Sequence, residues 1–241
     1  MCTQPDVTGF VQNATLAENG SVSSVLAQRG GAEFVSKPDH IVFVVDDDPS
    51  FRRSAERLLR MAGYEVESFS SAHEFLQRSQ PDVTACLVTD LRMPGMNGLE
   101  FQRELANAGW RTPIIFVTGH GDVSTSVRAM KGGAIEFLTK PFQEQEFLSA
   151  VSEALKRDGA RRDLEADTDA LRQRYNSLTP REREVMSCVV AGMLNKQIAG
   201  NLDITEKTVK FHRAHIMAKM LAGSVAALVQ MAIDLKLGAN A

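Results

Sequence analysis

The sequence has only three cysteines among its 241 residues, and they lie far apart, at Cys2, Cys86 and Cys188. This distribution offers neither the close pairs of a zinc site nor the framework of a disulfide-stapled domain. Cys86 and Cys188 stand inside apolar stretches, where a cysteine acts as a small core residue. Free cysteines are typical of proteins of the reducing cytosol, so we expect a cytoplasmic protein.

Long hydrophobic runs are also missing. No apolar run reaches the roughly 18 residues that a membrane-spanning helix needs, and the first residues lack the charged and apolar regions of a secretory signal. Hydrophobic residues make up 44% of the chain and charged residues 24%, which is ordinary for a globular protein. We therefore expect a soluble protein of one large or two modest domains, with no membrane partner.

The excess of one charge sign over the other is small only when the whole chain is counted. The formal net charge is −3, but acidic side chains outnumber basic ones by 17 to 11 between residues 38 and 155. From 176 to 241, basic side chains outnumber acidic ones by eight to five. The whole-chain charge argues against a nucleic-acid partner, whereas the positive C-terminal part makes such a partner possible again.

The chain divides into a tail, an α/β domain, a linker and a helical domain. Residues 1–38 are rich in small polar residues without a sustained period, which predicts a flexible tail. In residues 39–157, apolar runs alternate with helical patterns. We predict strands at 41–45, 64–68, 84–89, 113–118 and 134–138, and helices at 49–62, 71–79, 98–108, 122–132 and 143–157. This alternation predicts a flavodoxin-like, doubly wound parallel sheet of five strands in the order 2-1-3-4-5.

The remaining residues are helical in pattern. Residues 158–177 carry mixed charge and a single heptad step from Leu164 to Leu171, which predicts a solvated helical linker rather than a coiled coil. Residues 178–241 predict four helices, at 180–191, 195–201, 205–219 and 224–236. Short breaks between helices and a positive charge are typical of a small all-α helix-turn-helix domain.

Several polar side chains stand at or just past the ends of the predicted strands. The carboxyl ends of strands in an open α/β sheet line one crevice, so these side chains should converge there. Clustered carboxylates suit Mg²⁺, a lysine can neutralise a phosphate, and a hydroxyl can donate to one. The pattern therefore predicts a site for a divalent cation and a phosphoryl group. Its members are Asp46, Asp47, Asp48, Asp90, Thr118 and Lys140.

The segments around these residues carry a family resemblance. VVDDDPS, VTDLRMPGMNG, IIFVTGHGD and EFLTKPF follow one another within residues 40–157. In this order they resemble the receiver domain of bacterial response regulators. With NKQIA and TVKFHRAHIMAKM further on, the whole chain is similar to NarL/FixJ-type regulators that carry a LuxR-type module, and most like the FixJ branch. The resemblance covers about 200 residues and joins motifs of two domains.

The resemblance implies roles for the residues of the crevice. Asp90 would accept the phosphoryl group, and Thr118 and Lys140 would contact its oxygens, with a cis bond between Lys140 and Pro141. Asp48 matches no required ligand. The implied Mg²⁺ ligands are Asp46, Asp47, Asp90 and the backbone carbonyl of Arg92.

The resemblance also implies how the signal leaves the site. Thr118 would move toward the phosphate, and Phe137 would rotate inward behind it. The added charge would bias the surface of the fourth helix and the fifth strand. One stripe of that helix is then expected to form a dimer face, made of Val123, Val127, Met130 and Lys131.

The helical domain has its own expected contacts. Thr179, Asn195 and Thr205 are expected to cap its first three helices. On the third helix, Val209, His212, Ile216 and Met220 should face the core and leave a basic outer side for the major groove or its phosphates. By the LuxR-type match, the expected DNA contacts are Lys196, Lys207, Thr208, Lys210, Phe211, Arg213 and Ala214.

Together these features imply a phosphorylation-dependent transcriptional regulator of a two-component system, a switch rather than a metabolic enzyme. Its expected partners are a sensor histidine kinase, promoter DNA, RNA polymerase and a second copy of the chain. Two alternatives stay open. The segment from Asp46 to Ser50 also fits the opening motif of haloacid-dehalogenase-like phosphatases, with Asp46 as nucleophile. In the second alternative, the chain is a constitutive DNA-binding protein whose receiver is idle.

Overall fold

A computed structural model of the chain describes residues 39–119 and 123–237. The predicted tail at 1–38 lies outside the described residues. The described strands are β1 His40–Val45, β2 Glu65–Phe69, β3 Thr84–Thr89, β4 Ile114–Thr118 and β5 Glu136–Thr139. The described helices are α1 Pro49–Met61, α2 Ala72–Leu76, α3 Gly98–Asn107, α4 Val123–Lys131, α5 Glu144–Asn176, α6 Pro180–Val190, α7 Asn195–Leu202, α8 Glu206–Met220 and α9 Val225–Asp234.

The five strands form one parallel sheet in the order β2-β1-β3-β4-β5, as predicted. Alternate residues of β1 face opposite layers, because side chains along a strand alternate between faces. Phe43 packs in a core with α2 and α3, while Val42 and Val44 pack in a second core with α1 and α5. Helices on both faces explain why these strands are almost continuously apolar. The crevice at their carboxyl ends is the position that the sequence predicted for the site.

In the α/β domain, three elements differ from their predicted limits by two residues or more. Strand β5 begins at Glu136 rather than at residue 134, because Ala134 N–H donates to the last turn of α4, at Ala129 O. Helix α2 ends at Leu76 instead of continuing to residue 79. Helix α5 does not stop near residue 157 but continues unbroken to Asn176. The linker is therefore helical, as expected, but it is continuous with the last helix of the α/β domain.

The linker is also not solvated along its whole length. The Asp158 side chain is fully buried and accepts from Ala85 N–H at the start of β3, at 2.9 Å. Arg161 and Arg162, one turn further along, donate to its two oxygens at 2.6 and 2.7 Å. Arg162 also donates to Pro81 O at 2.9 Å. A buried carboxylate needs partners of this kind, and here they bind the beginning of the linker to the sheet.

Helices α6 to α9 form a separate hydrophobic core with the end of α5. Thr179 and Thr205 cap α6 and α8 as predicted, since each hydroxyl accepts from a backbone N–H three residues on. The turn between α7 and α8 contains Asp203 in the left-handed region, at φ 51°. These short connections let four helices cross within one small domain, as the sequence indicated.

Within the described residues, no single helix is long and apolar enough to cross a membrane. Among the described helices, α8 and α9 taken together have the length and composition of a span, but they are bent by 60° where they join. Their apolar residues belong largely to the core of the helical domain.

Candidate functional site

The carboxylates of Asp46, Asp47 and Asp90 come together at the carboxyl edge of the sheet. One oxygen from each lies within 4.8 Å of the others. Asp46 is fully buried, Asp47 is exposed, and Asp90 is partly buried with 14% of its side chain accessible. Asp48 is separate in function: its side chain caps α1 by accepting from Ser50 N–H at 2.8 Å. The structure thus brings together three of the four acidic residues that the sequence selected.

Lys140 projects into the same crevice from the loop after β5. Its ammonium donates to Asp46 Oδ2 at 2.6 Å and lies 3.6 Å from Asp90 Oδ2. Its backbone N–H donates to Thr118 O at 2.8 Å, which ties this loop to the end of β4. The Lys140–Pro141 bond is cis, so that expectation is confirmed. Thr118 itself is buried beside the same strand ends.

Burial raises the pKa of the Asp46 carboxyl above its ordinary value. The Lys140 ammonium and the Asp48 N–H act in the opposite direction, and the nearby Asp90 carboxylate adds to the increase. On balance, the burial of this carboxyl outweighs its contacts with Lys140 and the Asp48 N–H. Such a cluster favours a further positive charge, because close like charges repel in a partly desolvated crevice.

The backbone beside Asp90 is braced by the last glycine of the PGMNG segment. Gly98 opens α3 and donates its N–H to Leu91 O at 2.8 Å. A Cβ at Gly98 would lie 2.7 Å from Asp90 O and 2.7 Å from the Phe116 ring. Any larger residue would therefore push against the backbone of Asp90. The PGMNG segment was the available signal, but only the fold shows what approaches it.

The residues expected to relay and receive the signal lie on neighbouring elements. The Phe137 ring on β5 is partly buried, 6.3 Å from the Phe116 ring. On α4, Thr125 and Ala129 face the core. The expected dimer stripe faces outward: Val123 is 82% exposed, Val127 and Met130 are each 45% exposed, and Lys131 is exposed.

The outer side of α8 carries the expected DNA contacts. Val209, Ile216 and Met220 are buried against the domain core, which orients the helix, and His212 is partly buried. Phe211 is 58% exposed and packs against the His215 ring, with centroids 4.1 Å apart. The exposed members of the expected set are Lys196, Lys207, Lys210, Phe211 and Ala214, and the partly buried ones are Thr208 and Arg213.

Asn195 does not cap α7, so that prediction was wrong. It is the first residue of the helix, and Leu194 occupies the cap position. The Gln197 side chain accepts from Leu194 N–H at 2.8 Å instead. The Asn195 oxygen accepts from Arg213 at 3.0 Å, which links α7 to α8. A residue with good capping chemistry thus holds the two helices of the motif together.

Glu182 does more than complete the capping box at the start of α6. Its carboxylate is buried, accepts from Thr179 N–H at 2.8 Å and from Lys219 Nζ at 2.7 Å, and so joins α6 to α8. Burial alone would raise the pKa of this carboxyl, but the bonds from Lys219 and Thr179 outweigh it and lower the pKa to about 2. The ionised group therefore stabilises the orientation of α8.

We expect this carboxylate to make the helical domain sensitive to acid. Its stabilisation is complete above its unfolded pKa of about 4.5 and is lost as the pH falls toward the folded value of about 2. After allowance for solvent around Lys219, the loss is about 2 kcal/mol. Urea titrations between pH 5 and 3 should show the free energy of unfolding falling with pH, and Glu182→Gln should remove this dependence. Glu184→Gln, at a half-exposed ion pair with Arg181, is the matched control.

Comparisons with known proteins agree with this geometry in both domains. Residues 42–152 match the response regulator receiver domain, and residues 176–232 match the bacterial regulatory proteins of the luxR family. Nodulation protein W of Bradyrhizobium diazoefficiens is 51% identical over 200 residues, covering 83% of this chain and 88% of its own. Transcriptional regulatory protein FixJ of Rhizobium meliloti is 44% identical, covering 81% of this chain and 96% of its own.

A solved structure of similar architecture is that of the response regulator StyR. It is 48% identical in sequence, covers 81% of this chain and 98% of its own, and superposes with a TM-score of 0.75. Both domains and their order are therefore shared with relatives along most of their lengths. The chain belongs to the response regulators in which a receiver domain precedes a LuxR-type DNA-binding domain, and it is a phosphorylation-dependent regulator of transcription.

Proposed function

We propose that Asp90 is the residue that accepts the phosphoryl group, from a sensor histidine kinase. The observation that carries this proposal is its place in the carboxylate group. Asp90 directly follows β3, is partly accessible and lies 3.6 Å from the Lys140 ammonium. Asp46 is fully buried and already accepts from Lys140 and Asp48 N–H. A nucleophile has to reach phosphorus, and Asp90 is better exposed for this than Asp46.

The donor set fits Mg²⁺. Three carboxylates whose oxygens lie within 4.8 Å, one of them exposed and one partly exposed, offer hard oxygen ligands and leave room for water and phosphate. Asp46, Asp47, Asp90 and the backbone carbonyl of Arg92 would hold the ion. When bound, Mg²⁺ supplies positive charge beside the phosphoryl oxygens.

The chemistry itself is a phosphoryl transfer between two protein side chains. An Asp90 carboxylate oxygen attacks phosphorus, and the bond from phosphorus to the histidine nitrogen of the kinase breaks. The electron pair of that bond stays on the nitrogen. The Lys140 ammonium and the Thr118 hydroxyl contact the phosphoryl oxygens and stabilise their charge. Hydrolysis of the aspartyl phosphate later returns the switch to its starting state.

The output follows from the surfaces around the site. Charge added at Asp90 draws Thr118 toward it and changes the packing of Phe137, and this alters the outer face of α4. Two copies then associate through Val123, Val127, Met130 and Lys131. Association places two α8 helices on neighbouring half-sites about 10 bp apart, where the complex assists or blocks RNA polymerase.

The test locates the phosphate and its consequence in one preparation. The purified chain is incubated with acetyl phosphate and Mg²⁺, and peptide mass spectrometry identifies the modified residue. We expect one phosphoryl group, on Asp90. Sedimentation and titration with a pool of random-sequence duplex DNA at stated salt should then show dimers and tighter binding. An adduct on Asp46, or turnover of small phosphate monoesters, would instead support the phosphatase alternative. DNA binding indifferent to phosphate would support the idle receiver.

Lysines on α8 should affect DNA binding in two distinguishable ways. Replacing Lys210 with alanine should cost about 1–3 kcal/mol of binding to a selected site and relax preference at one base position. Replacing Lys207 should weaken binding to all sequences and reduce the salt slope by about one. Lys236→Ala, an exposed lysine beyond α9, is the control. Equal losses for all three variants would contradict the assignment of α8 to the groove.

A further inference from the structure

An aromatic ring lies beside Lys140 in the phosphorylation crevice. The Phe51 ring, in the first turn of α1, has the Lys140 ammonium 3.7 Å from its centroid. At this distance the ammonium interacts with the negative face of the ring. The same ammonium contacts Asp46 and Asp90 on its other sides. Neither the acidic motif nor the family resemblance assigned a part to Phe51.

The position of Phe51 is determined by packing on both sides. Its ring meets the Phe142 ring edge-on, with centroids 6.2 Å apart. Phe142 stacks on Phe147 with centroids 5.2 Å apart, and Phe147, on α5, is fully buried in the core. On the other side, α1 is anchored by Asp48, whose N–H donates to Asp46 Oδ1 at 2.8 Å. The ring is therefore connected both to the core and to the carboxylates.

We propose that Phe51 is a positioning residue for phosphoryl transfer, because its ring face holds the Lys140 ammonium and excludes water from one side of it. This proposal rests on the roles proposed above for Asp90 and Lys140. An ammonium with fewer water contacts interacts more strongly with an incoming phosphoryl group. The ring has no charge and no hydrogen bond that would compete with the phosphoryl oxygens. Phe51 thus acts through Lys140 and does not itself touch phosphorus.

The proposal distinguishes an aromatic face from a side chain that only fills space. Leucine at position 51 keeps much of the volume but loses the ring quadrupole, so phosphorylation by acetyl phosphate should slow about fivefold. Tyrosine and tryptophan keep the face and should remain within about twofold of the wild-type rate. Melting temperatures of all variants report whether the fold has changed.

Ring fluorination gives the sharpest form of the test. Site-specific replacement of Phe51 by mono-, di- and trifluorophenylalanine weakens the negative face in steps with little change of shape. We expect the logarithm of the phosphorylation rate to fall with each added fluorine. The matched control is the same series at Phe43, whose ring has the Arg78 guanidinium 4.6 Å from its centroid, outside the crevice. That series should leave the rate unchanged.

The outcomes separate this inference from the function on which it depends. If the wild-type chain gains no phosphate on Asp90, the proposed function fails before Phe51 is tested. If the wild type is phosphorylated but Phe51→Leu and the fluorinated series react at the wild-type rate, the positioning role is wrong. If Phe51→Leu is slow while fluorination has no effect, the ring serves only as packing, and the proposal is overturned.

Discussion

Replacing Asp90 with asparagine should abolish phosphate uptake, with a rate at least about a hundredfold below that of the wild type. The amide keeps the shape of the side chain. Its oxygen can still accept the hydrogen bond that Arg92 N–H donates to Asp90 Oδ1, at 3.2 Å. It lacks the charged oxygen that attacks phosphorus. The variant should fold normally, and its affinity for duplex DNA should be the same before and after treatment with acetyl phosphate and Mg²⁺.

Asp48→Asn is the matched control for this experiment. Asp48 stands in the same acidic run but is exposed and caps α1, and asparagine caps a helix about as well as aspartate. Phosphorylation of this variant should remain within about twofold of the wild-type rate. If Asp90→Asn accepts phosphate as fast as the wild type, the acceptor is another carboxylate of the cluster, and the assignment of Asp90 is wrong.

Replacing Asp158 with alanine should lower the free energy of unfolding of the α/β domain by about 3 kcal/mol. The substitution leaves Ala85 N–H without its acceptor at the start of β3 and removes the charge that Arg161 and Arg162 share. This loss lies at the lower end of the range expected when a buried ion pair is broken. The reason is that both arginines are more than a quarter exposed and keep other partners. Urea titration followed by circular dichroism measures it.

Two further variants make the result specific. Asp158→Asn retains an acceptor for Ala85 N–H but not the charge, so its loss should be smaller than that of Asp158→Ala. Asp169→Ala removes the partner of Arg172 in an ion pair that is more than half exposed on both sides, and should change stability by less than about 0.5 kcal/mol. An Asp158→Ala protein as stable as Asp169→Ala would show that the buried network does not anchor the linker.

The strand order could be predicted because it depends on patterns that are local in the chain. Each strand is an apolar run, since the sheet is covered on both faces, and the alternation with helices leaves few topologies. The limits of β5 and α2 were predicted less accurately than the strand order. They depend on single hydrogen bonds, such as that from Ala134 N–H to Ala129 O, which no periodicity reports.

The continuous α5 shows where local reasoning was insufficient. Charged residues after position 157 resemble a solvated linker, and an aspartate there is normally exposed. Asp158 is buried because Ala85 N–H, 73 residues earlier in the chain, and two arginines satisfy its oxygens. A contact over such a separation has no signature in the residues around Asp158.

The sequence by itself determined the fold class, the two-domain order and the chemical content of the crevice, because strand ends carry their polar residues in recognisable motifs. Only the tertiary structure decided how those residues differ from one another. It buries Asp46 and leaves Asp90 partly accessible. It also uses Asp48 to cap the N-terminus of α1 and places the Phe51 ring beneath the Lys140 ammonium. The reason is physical: accessibility and charge pairing depend on distances between segments far apart in the chain, and these distances exist only after the sheet and its helices have packed.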